Sequence, residues 1–491
     1  MALPAAPATP ADIAARLGEL RAGDSPTSGG RVLAYVYDSG LADVPEVAAE
    51  ALTAFAEVNA LDPTVFPSVA VLENDLVGWG LDLVHAPEGA AGSLTSGGTE
   101  SCMLAVKTAR NHWRSYHPDD DRRPVVLMPV TGHSAFVKGC AYFDVELRTL
   151  PVDPDTFTLR PKTLAEALAE AGDRACLVVV SAPSYAHGVL DPIAECAALA
   201  VAAEVPLHVD ACIGGWILPF CEINGEDIAP WDFRVPGVWS LSVDLHKYGY
   251  APKGSSLLLF ATAEYRLHSY FAYSDWPGYP VVNTTMQSTK SAAPMAAAWA
   301  VARRIGADGY ARLVADARAA TAAIVAAVEG IDGLKVVGTP ASTLIALGAD
   351  GSEGVDPFVL ADRMKARGWF IQPQPGVHGM PRTAHLTVQA VTWPLIEEFL
   401  TALRESAAEA RGKPAASPDP ELMQVAEAID PDVLDLAAVQ GLLGFAGLDT
   451  ASGPALPDES ADIQALLEAL PTRLRDTLLK GYFSEIFRAA R

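Results

Sequence analysis

The sequence predicts an α/β fold with a largely parallel sheet, and two features of residues 100–260 carry this prediction. Short apolar runs alternate there with helical segments. The runs are rich in valine and leucine and show little polar alternation, as expected of strands that are buried on both faces. Strands and helices that alternate in this way form a sheet covered by helices.

The individual elements follow from the same patterns. Five runs are predicted strands of the large sheet: 124–129, 175–181, 206–210, 238–243 and 256–260. Predicted helices cover 45–58, 68–84, 163–171, 193–203 and the alanine-rich segment 293–330, which follows a loop at about 270–292. Four later runs predict a small antiparallel sheet: 334–338, 343–348, 368–371 and 383–388.

These elements divide the chain into four predicted parts. Residues 1–90 form an N-terminal arm with helices, and the first 30 or so, rich in alanine, proline, glycine and serine, are expected to be either an arm or a frayed tail. Residues 91–330 form a large domain and 331–412 a smaller C-terminal α+β domain. Residues 413–491 begin with a proline-rich linker and continue as a mostly helical extension.

Composition excludes several classes of partner. The chain has 60 acidic and 35 basic residues, a net charge of −25, which repels nucleic acids and anionic lipids. We see no secretory signal and no apolar stretch long enough to span a bilayer. Six cysteines without a CxxC pair indicate buried thiols in a reducing cytoplasm, and we expect no metal site.

The first chemical motif is Thr-Ser-Gly-Gly-Thr-Glu at residues 95–100, directly before a helical run. Small residues allow close approach of the backbone, and the helix start presents free N–H groups to an anion. Gly98 and Thr99 therefore form a candidate phosphate cradle. An ordinary loop with Thr99 as the helix cap explains the same letters equally well.

Two further motifs place an acid and a lysine after apolar strands. Asp210 ends a strand, where open α/β sheets bind ligands, although a helix cap or a metal ligand is an alternative role. Lys247 follows His246 and precedes small and aromatic residues in the segment 242–256. Burial lowers a lysine pKa and makes the amine a nucleophile, whereas an isolated lysine is more often a solvated charge.

The fourth motif, Gly-His-Ser at residues 132–134, contains His133, whose flat ring could stack on a flat cofactor or simply serve a structural role. A phosphate cradle, a stacking ring, a carboxylate and an amine nucleophile in this order fit pyridoxal 5′-phosphate. Asp210 would face the protonated pyridine nitrogen and keep the ring electron-poor.

At these residues the sequence resembles pyridoxal-phosphate-dependent enzymes of aminotransferase fold type I, in the group II decarboxylase and sphingosine-1-phosphate lyase-like family. The resemblance covers about residues 35–390, and the segment 248–254 is the lyase-like version. It implies a mostly parallel, seven-stranded-type sheet flanked by helices, and a homodimer. Residues 410–491 have no recognised counterpart.

The resemblance also implies roles for individual residues. Lys247 forms the Schiff base, Asp210 pairs with the pyridinium and His133 stacks, so these three are the predicted catalytic residues. Gly98, Thr99, His246 and Thr289 are predicted to bind the cofactor. Tyr35, Asn59, Asp62 and Lys253 are predicted to contact the substrate.

Two positions depart from the lyase pattern. Asp62 stands where the lyases carry a histidine that contacts the substrate phosphate, and a carboxylate repels phosphate. Lys290, in the segment 288–292, replaces an arginine and loses its bidentate fork. Both changes disfavour a sphingoid phosphate as substrate.

The predicted activity is retro-aldol cleavage of the Cα–Cβ bond of a 2-amino-3-hydroxy compound. An amino-acid decarboxylase is the alternative enzyme, because the orientation of the substrate decides which bond at Cα breaks. A scaffold protein with residues 421–491 as an interaction module is the alternative outside catalysis. The expected partner is a small amine or amino acid.

Overall fold

The computed structural model describes residues 3–431, 434, 436–445 and 459–489. Its centre is a seven-stranded sheet of strand order β1-β7-β6-β5-β4-β2-β3. The strands are β1 (Ala91–Thr95), β2 (Val125–Pro129), β3 (Glu146–Leu150), β4 (Ala175–Ser181), β5 (Leu207–Asp210), β6 (Val238–Val243) and β7 (Ser256–Phe260). All neighbours from β6 to β3 are parallel, and β7 runs antiparallel to β1 and β6. The prediction of a largely parallel sheet is confirmed.

The strands that the sequence predicted in this sheet are buried along their whole length, except at Trp239 of β6. The bounds of β4, β6 and β7 agree with the predicted runs, and those of β2 and β5 differ by one residue. The sequence analysis missed β1 and β3. β1 has a single large apolar residue, Leu94, and β3 is an edge strand of mixed polarity that is mostly only partly buried.

Helices flank the large sheet. The first ten are α1 (Pro10–Arg21), α2 (Val44–Ala54), α3 (Pro67–Leu83), α4 (Gly98–Tyr116), α5 (Ser134–Tyr142), α6 (Pro161–Ala171), α7 (Ile193–Ala202), α8 (Leu218–Ile223), α9 (Ala263–Leu267) and α10 (Ala293–Val328). α10 breaks at Gly306, whose φ of +66° lies in the left-handed region that favours glycine. The long predicted helix 293–330 is therefore two helical pieces around one glycine.

The N-terminal arm contains a helix that the sequence analysis did not predict. Thr9 and Asp12 form a reciprocal capping box, and Pro10 occupies the first turn of α1. These local signals favour a helix even though all of its side chains are exposed. Of the two alternatives for residues 1–30, a frayed tail is wrong for residues 10–21, whereas an exposed arm agrees with α1.

A second, four-stranded antiparallel sheet lies in the smaller domain, in the order β10-β11-β13-β12. Its strands are β10 (Leu334–Val336), β11 (Leu344–Ala349), β12 (Gln372–Gln374) and β13 (Thr383–Thr387), covered by α11 (Pro357–Ala366) and α12 (Ile396–Ala410). The predicted strand at 368–371 is wrong, because the backbone of Phe370 pairs with residues 31–33 instead of the small sheet, and the strand begins at Gln372. The predicted loop at 270–292 holds a short hairpin, β8 (Phe271–Tyr273) and β9 (Val281–Asn283).

The described part of the C-terminal extension is mainly helical, with α13 (Pro420–Glu427), α14 (Leu436–Phe445), α15 (Ala461–Ala469) and α16 (Thr472–Ile486). Ala465 of α15 packs with Phe358 and Ala416, so this helix rests on the smaller domain. Across the residues that the structure describes, no helix is both long and apolar enough to span a bilayer.

The core of the smaller domain predicts a stability effect. Phe399 is fully buried and meets the ring of Trp369 edge-on, with 5.1 Å between ring centroids. Phe399→Ala leaves a cavity and should lower the free energy of unfolding by about 3–5 kcal/mol. Phe483→Ala, at a side chain that is 54% exposed, should change it by less than about 0.5 kcal/mol. Chemical denaturation followed by circular dichroism measures both, and similar losses in the two variants would contradict this description of the core.

Candidate active site

Six of the predicted site residues line one cavity of about 180 Å³ at the carboxyl end of the large sheet. It lies where β5 and β6 end and α4 begins. The predicted residues in its wall are Gly98, Thr99, His133, Asp210, His246 and Lys247, and the other wall residues are Cys102, Pro183, Tyr185, Cys212, Ile213 and Asp244. Segments far apart in the sequence thus meet where ligands bind in open α/β sheets.

The start of α4 forms the cradle in this wall. The helix begins at Gly98 without a side-chain cap, so Thr99 is a residue of its first turn and not its cap. A Cβ atom on Gly98 would lie 2.6 and 2.7 Å from the carboxylate oxygens of Asp244 and 2.9 Å from Cys212 Sγ. Glycine is therefore required here, and the free N–H groups of the helix start can receive an anion.

Asp210 ends β5 as a buried side chain that is 8% exposed. Its Oδ1 accepts hydrogen bonds from the Cys212 N–H at 3.1 Å and from the Ser242 hydroxyl at 3.3 Å. Neither donor is charged, so neither neutralises the carboxylate. A cationic ring nitrogen of a ligand in the cavity would supply that missing charge.

Lys247 forms a buried ion pair that the sequence analysis did not predict. Its Nζ lies 2.8 Å from Oδ2 of Asp244, which is 1% exposed. Burial alone would lower the pKa of Lys247, but the charge and hydrogen bond of Asp244 outweigh burial and raise this pKa well above its ordinary value. The expectation of a lowered lysine pKa is therefore wrong for the cofactor-free chain.

The carboxylate of Asp244 interacts with both histidine and lysine of this loop. Burial would raise the pKa of Asp244, but the charges of Lys247 and His246 lower it below its ordinary value. Its Oδ1 is buried without a hydrogen-bond partner within the described chain. The Asp244 side chain thus holds Lys247 through Oδ2, and both of its oxygens lie against the crowded start of α4.

His246 is held by its own loop. Its Nδ1 lies 2.7 Å from the carbonyl of Ser255, which accepts the Nδ1–H, and its Nε2 lies 3.7 Å from Oδ2 of Asp244. Burial lowers the pKa of His246. A phosphate group bound beside Nε2 would favour the protonated ring, which then donates to it.

Lys253 lies beside the same loop. Its Nζ donates to the His246 carbonyl at 3.2 Å and sits 4.8 Å from the centroid of the Tyr37 ring. Burial, followed by the charge of Lys247, lowers the pKa of Lys253. The structure thus places a second ammonium group near enough to Lys247 for their charges to interact, but Lys253 is not part of the cavity wall, so its substrate contact stays a prediction.

His133 has a structural contact in addition to its place in the cavity wall. Its Nδ1 accepts the N–H of Ala135 at 3.1 Å and caps α5. This bond fixes the ring in the wall, and the predicted stacking on a cofactor requires such a fixed ring. Both roles that the sequence left open are thus compatible in one geometry.

Lys253 and four other predicted residues, five in all, lie outside the cavity wall in this single chain. Tyr35 is 64% exposed with a φ of +63°, and Asp62 is exposed in a turn closed by Thr64. Asn59 pairs with Ser291 through a short bridge. Thr289 and Lys290 line a separate cavity of about 310 Å³ beside Gly254. The structure therefore does not bring these residues into the cavity with Lys247.

Sequence reasoning missed the other wall residues. Asp244 stands three positions before Lys247, a spacing that could have suggested an ion pair. Cys102 and Cys212 contribute thiols within 4.8 Å of an Asp210 oxygen. Burial raises the pKa of Cys102, and a hydrogen bond with Cys102, together with burial, raises the pKa of Cys212, so both thiols are protonated in the free chain.

The donor set fits pyridoxal 5′-phosphate. Gly98 and Thr99 offer N–H groups for a phosphate, and Asp210 offers an unneutralised carboxylate for a ring cation. Lys247 supplies an amine between them. The cradle, the carboxylate and the amine belong to one cavity.

Comparisons with known proteins agree with this fit. Residues 31–346 match the profile of the pyridoxal-dependent decarboxylase conserved domain. A sphingosine-1-phosphate lyase of Dictyostelium discoideum is 35% identical over 73% of this chain and 65% of its own length. One of Arabidopsis thaliana is 35% identical over 74% of this chain and 66% of its own length. The chain thus spans slightly less than two thirds of these relatives.

A solved structure is similar over nearly its whole length. The sphingosine-1-phosphate lyase of Burkholderia pseudomallei superposes with a TM-score of 0.78 at 31% identity, covering 84% of this chain and 93% of that one. Residues 420–485 match a second profile, for a candidate C-terminal helix-turn-helix domain of pyridoxal-dependent enzymes. The sequence analysis had not recognised this match.

The family profile, the similar lyases and the cavity built around Lys247 all lead to one assignment. Pyridoxal 5′-phosphate is the cofactor that they imply. This chain belongs to the pyridoxal-dependent decarboxylase family, in its sphingosine-1-phosphate lyase-like branch.

Proposed function

We propose that this chain is a carbon–carbon lyase that cleaves the Cα–Cβ bond of a 2-amino-3-hydroxy compound. The observation that carries the proposal is the meeting of Lys247, Asp210 and the Gly98–Thr99 cradle in one cavity, with Lys253 beside Lys247. The names of the similar proteins, which are sphingosine-1-phosphate lyases, support the same activity.

When bound, the cofactor supplies an electron-poor ring that accepts the electron pair of a bond at the substrate α-carbon. The chain orients the substrate so that the Cα–Cβ bond is the one that breaks. The β-hydroxyl proton goes to a base, the β-carbon and its oxygen become an aldehyde, and the bond electrons stay with Cα. Cα then takes up a proton in place of the lost carbon.

We assign the proton acceptor to Lys247, whose amine would be free when the substrate occupies the cofactor site. Asp244 lies 2.8 Å from Nζ and raises the pKa of this amine, so the released amine binds a proton strongly. The nearby tyrosines are poorer acceptors, because burial raises the pKa of Tyr37 to about 12 and keeps its hydroxyl protonated. Asp244 thus serves the proposed reaction by making Lys247 basic.

The proposed substrate carries an anionic group. Lys253 provides the ammonium that would pair with it, and its Nζ already lies beside the aromatic face of Tyr37. A phosphate is the group that the names of the similar proteins suggest. Asp62 keeps its charge, since the Thr64 hydrogen bonds lower its pKa, and its exposed position leaves it outside the cavity of this chain.

An amino-acid decarboxylase is the second candidate, and one observation favours it. The matching profile is that of a decarboxylase domain, and the residues that would hold the cofactor are compatible with cleavage of either bond at Cα. In that reaction the Cα–carboxylate bond breaks, carbon dioxide leaves and Cα takes up a proton. Product analysis separates the two activities.

We further propose a homodimer in a reducing cytoplasm. The segment 271–286 exposes large apolar side chains, which is typical of an interface. They are Phe271, Tyr273, Trp276, Tyr279, Val282 and Met286. A second copy against this segment would place Thr289 and Lys290 near an interface, and the six free, buried cysteines fit a reducing compartment.

The products of the holoenzyme test the proposed activity. With 2-amino-3-hydroxy compounds, with and without phosphate, we expect stoichiometric aldehyde and no carbon dioxide. Lys247→Ala should reduce turnover by at least about 10⁴-fold, because neither the cofactor link nor the proton acceptor remains. The exposed Lys162→Ala is the matched control and should retain full turnover. Carbon dioxide release from amino acids without any aldehyde would establish the decarboxylase instead.

The Asp244–Lys247 pair predicts how the cofactor-free chain captures its cofactor. Asp244→Asn removes the charge that raises the pKa of Lys247, so a larger fraction of the amine is neutral near neutral pH. The rate at which the lysine-linked cofactor absorbance appears should rise about tenfold for each unit by which this pKa falls, and its pH dependence should move to lower pH. Asp62→Asn is the control. An unchanged pH dependence in Asp244→Asn would refute the assignment.

A further inference from the structure

Tyr185 is a wall residue of the cavity that is held from the smaller domain. Its hydroxyl donates to Oε1 of Gln372 at 2.6 Å, and its ring stacks on His385 with 4.3 Å between centroids. Both partners belong to the small sheet, at β12 and β13. The position of Tyr185 in the cavity wall therefore depends on the position of the small sheet.

A second bond ties the same strand to the same wall segment. Nε2 of Gln374 donates to the carbonyl of Ala186 at 2.9 Å and to the hydroxyl of Thr383 at 3.0 Å. Gln372 and Gln374 point to the same face of β12, as alternate residues of a strand do. The short strand β12 thus grips residues 185 and 186 through two side chains.

The loop between β12 and β13 is bound by the C-terminal extension. Oε1 of Glu468, in α15, accepts the N–H of Gly376 at 2.6 Å. Oε2 of Glu468 pairs with Arg382, which also bonds Asp356 at 2.8 Å and the Ala416 carbonyl at 3.0 Å. One carboxylate of the extension therefore holds both sides of the β12–β13 loop.

Helix α15 is itself fixed at its start by the smaller domain. Asp362, in α11, accepts the N–H groups of Ser460 and Ala461, each at 2.9 Å, and so caps α15 from another element. Ala465 is 1% exposed against Phe358. Because α15 is anchored at its start, in its middle and at Glu468, it is a rigid support for the loop.

The charge of this extension disfavours the partner that its matched profile would suggest. The matched residues 420–485 include 12 acidic and 3 basic residues. A helix-turn-helix unit with this balance repels the phosphates of nucleic acid. The contacts of α15 with the β12–β13 loop point to a role inside this protein.

We propose that Glu468 is a positioning residue that holds Tyr185 in the wall of the cofactor cavity through the β12–β13 hairpin. This path is a series of contacts. Glu468 binds Gly376 and Arg382 in the loop of the hairpin, and Gln372, in the first strand of the hairpin, binds the Tyr185 hydroxyl. The C-terminal extension is then a working part of the active site. This inference depends on the proposed function only in taking the cavity as the cofactor site, whichever bond the enzyme breaks.

The test uses the full chain with Glu468→Gln, which keeps the size of the side chain but removes its charge. Loss of a charge-assisted hydrogen bond and ion pair should speed amide exchange in a peptide spanning residues 182–190 of the cofactor-free chain by about tenfold. It should also weaken pyridoxal phosphate binding and shift the visible absorbance of the bound cofactor. Glu459→Gln is the matched control. Glu459 belongs to the same extension, but its ion-pair partner is Arg363 of α11, at 3.1 Å, and not a residue of the hairpin.

A double-mutant cycle with Tyr185→Phe separates positioning from general stability. Tyr185→Phe removes the hydroxyl link but keeps the Gln374 bond to Ala186 and the ring stacking on His385, so Glu468→Gln should have a smaller effect on cofactor affinity in that background than alone. Additive effects, or exchange in 182–190 equal to that of Glu459→Gln, would overturn the proposal.

If Glu468→Gln does not fold, Gln372→Met cuts the same path from the other end. It should speed exchange in 182–190 while exchange in 461–469 stays unchanged, and unchanged exchange in 182–190 would again overturn the proposal. Amide exchange is measured without cofactor or substrate. Its result therefore tests the role of Glu468 even if the chain is not a lyase.

Discussion

The buried ion pair between Lys247 and Asp244 is the interaction on which the active site depends. A pair of this kind adds little net stability, because removing both charges from water costs about as much as their attraction returns. Its value lies in position and basicity. Asp244 holds the amine 2.8 Å away, crowds the start of α4 so that Gly98 must be glycine, and raises the proton affinity of Lys247. One carboxylate thereby fixes both the cradle and Lys247, which is the proposed nucleophile and proton acceptor.

Much of the fold and the centre of the site could be predicted because their signals are local. A strand buried on both faces is a mostly apolar run. For this reason the first and last residues of β4, β6 and β7 could be predicted from the sequence. Asp210 follows such a run immediately, and Lys247 follows another after a short turn, so topology alone brings them to one edge. The edge strand β3 and the small-residue strand β1 lack this signal.

The remainder depends on contacts between distant positions. Tyr185 and Gln372 are 187 residues apart, and neither stands in a motif that would indicate their hydrogen bond. Burial alone predicted a lowered pKa for Lys247. The pKa is raised instead, because the attraction of the nearby Asp244 carboxylate exceeds the effect of burial. Asn59, Asp62 and Thr289 were placed by resemblance, and in one chain they lie away from the cavity that holds Lys247.

One chemical measurement tests the centre of this account most directly. The full chain, loaded with pyridoxal phosphate, is reduced with borohydride, digested and mapped by mass spectrometry for the lysine that carries the pyridoxyl group. The account predicts a single labelled peptide with the group on Lys247. A label on Lys253 or another lysine, or no label above that of a cofactor-free sample, would contradict it.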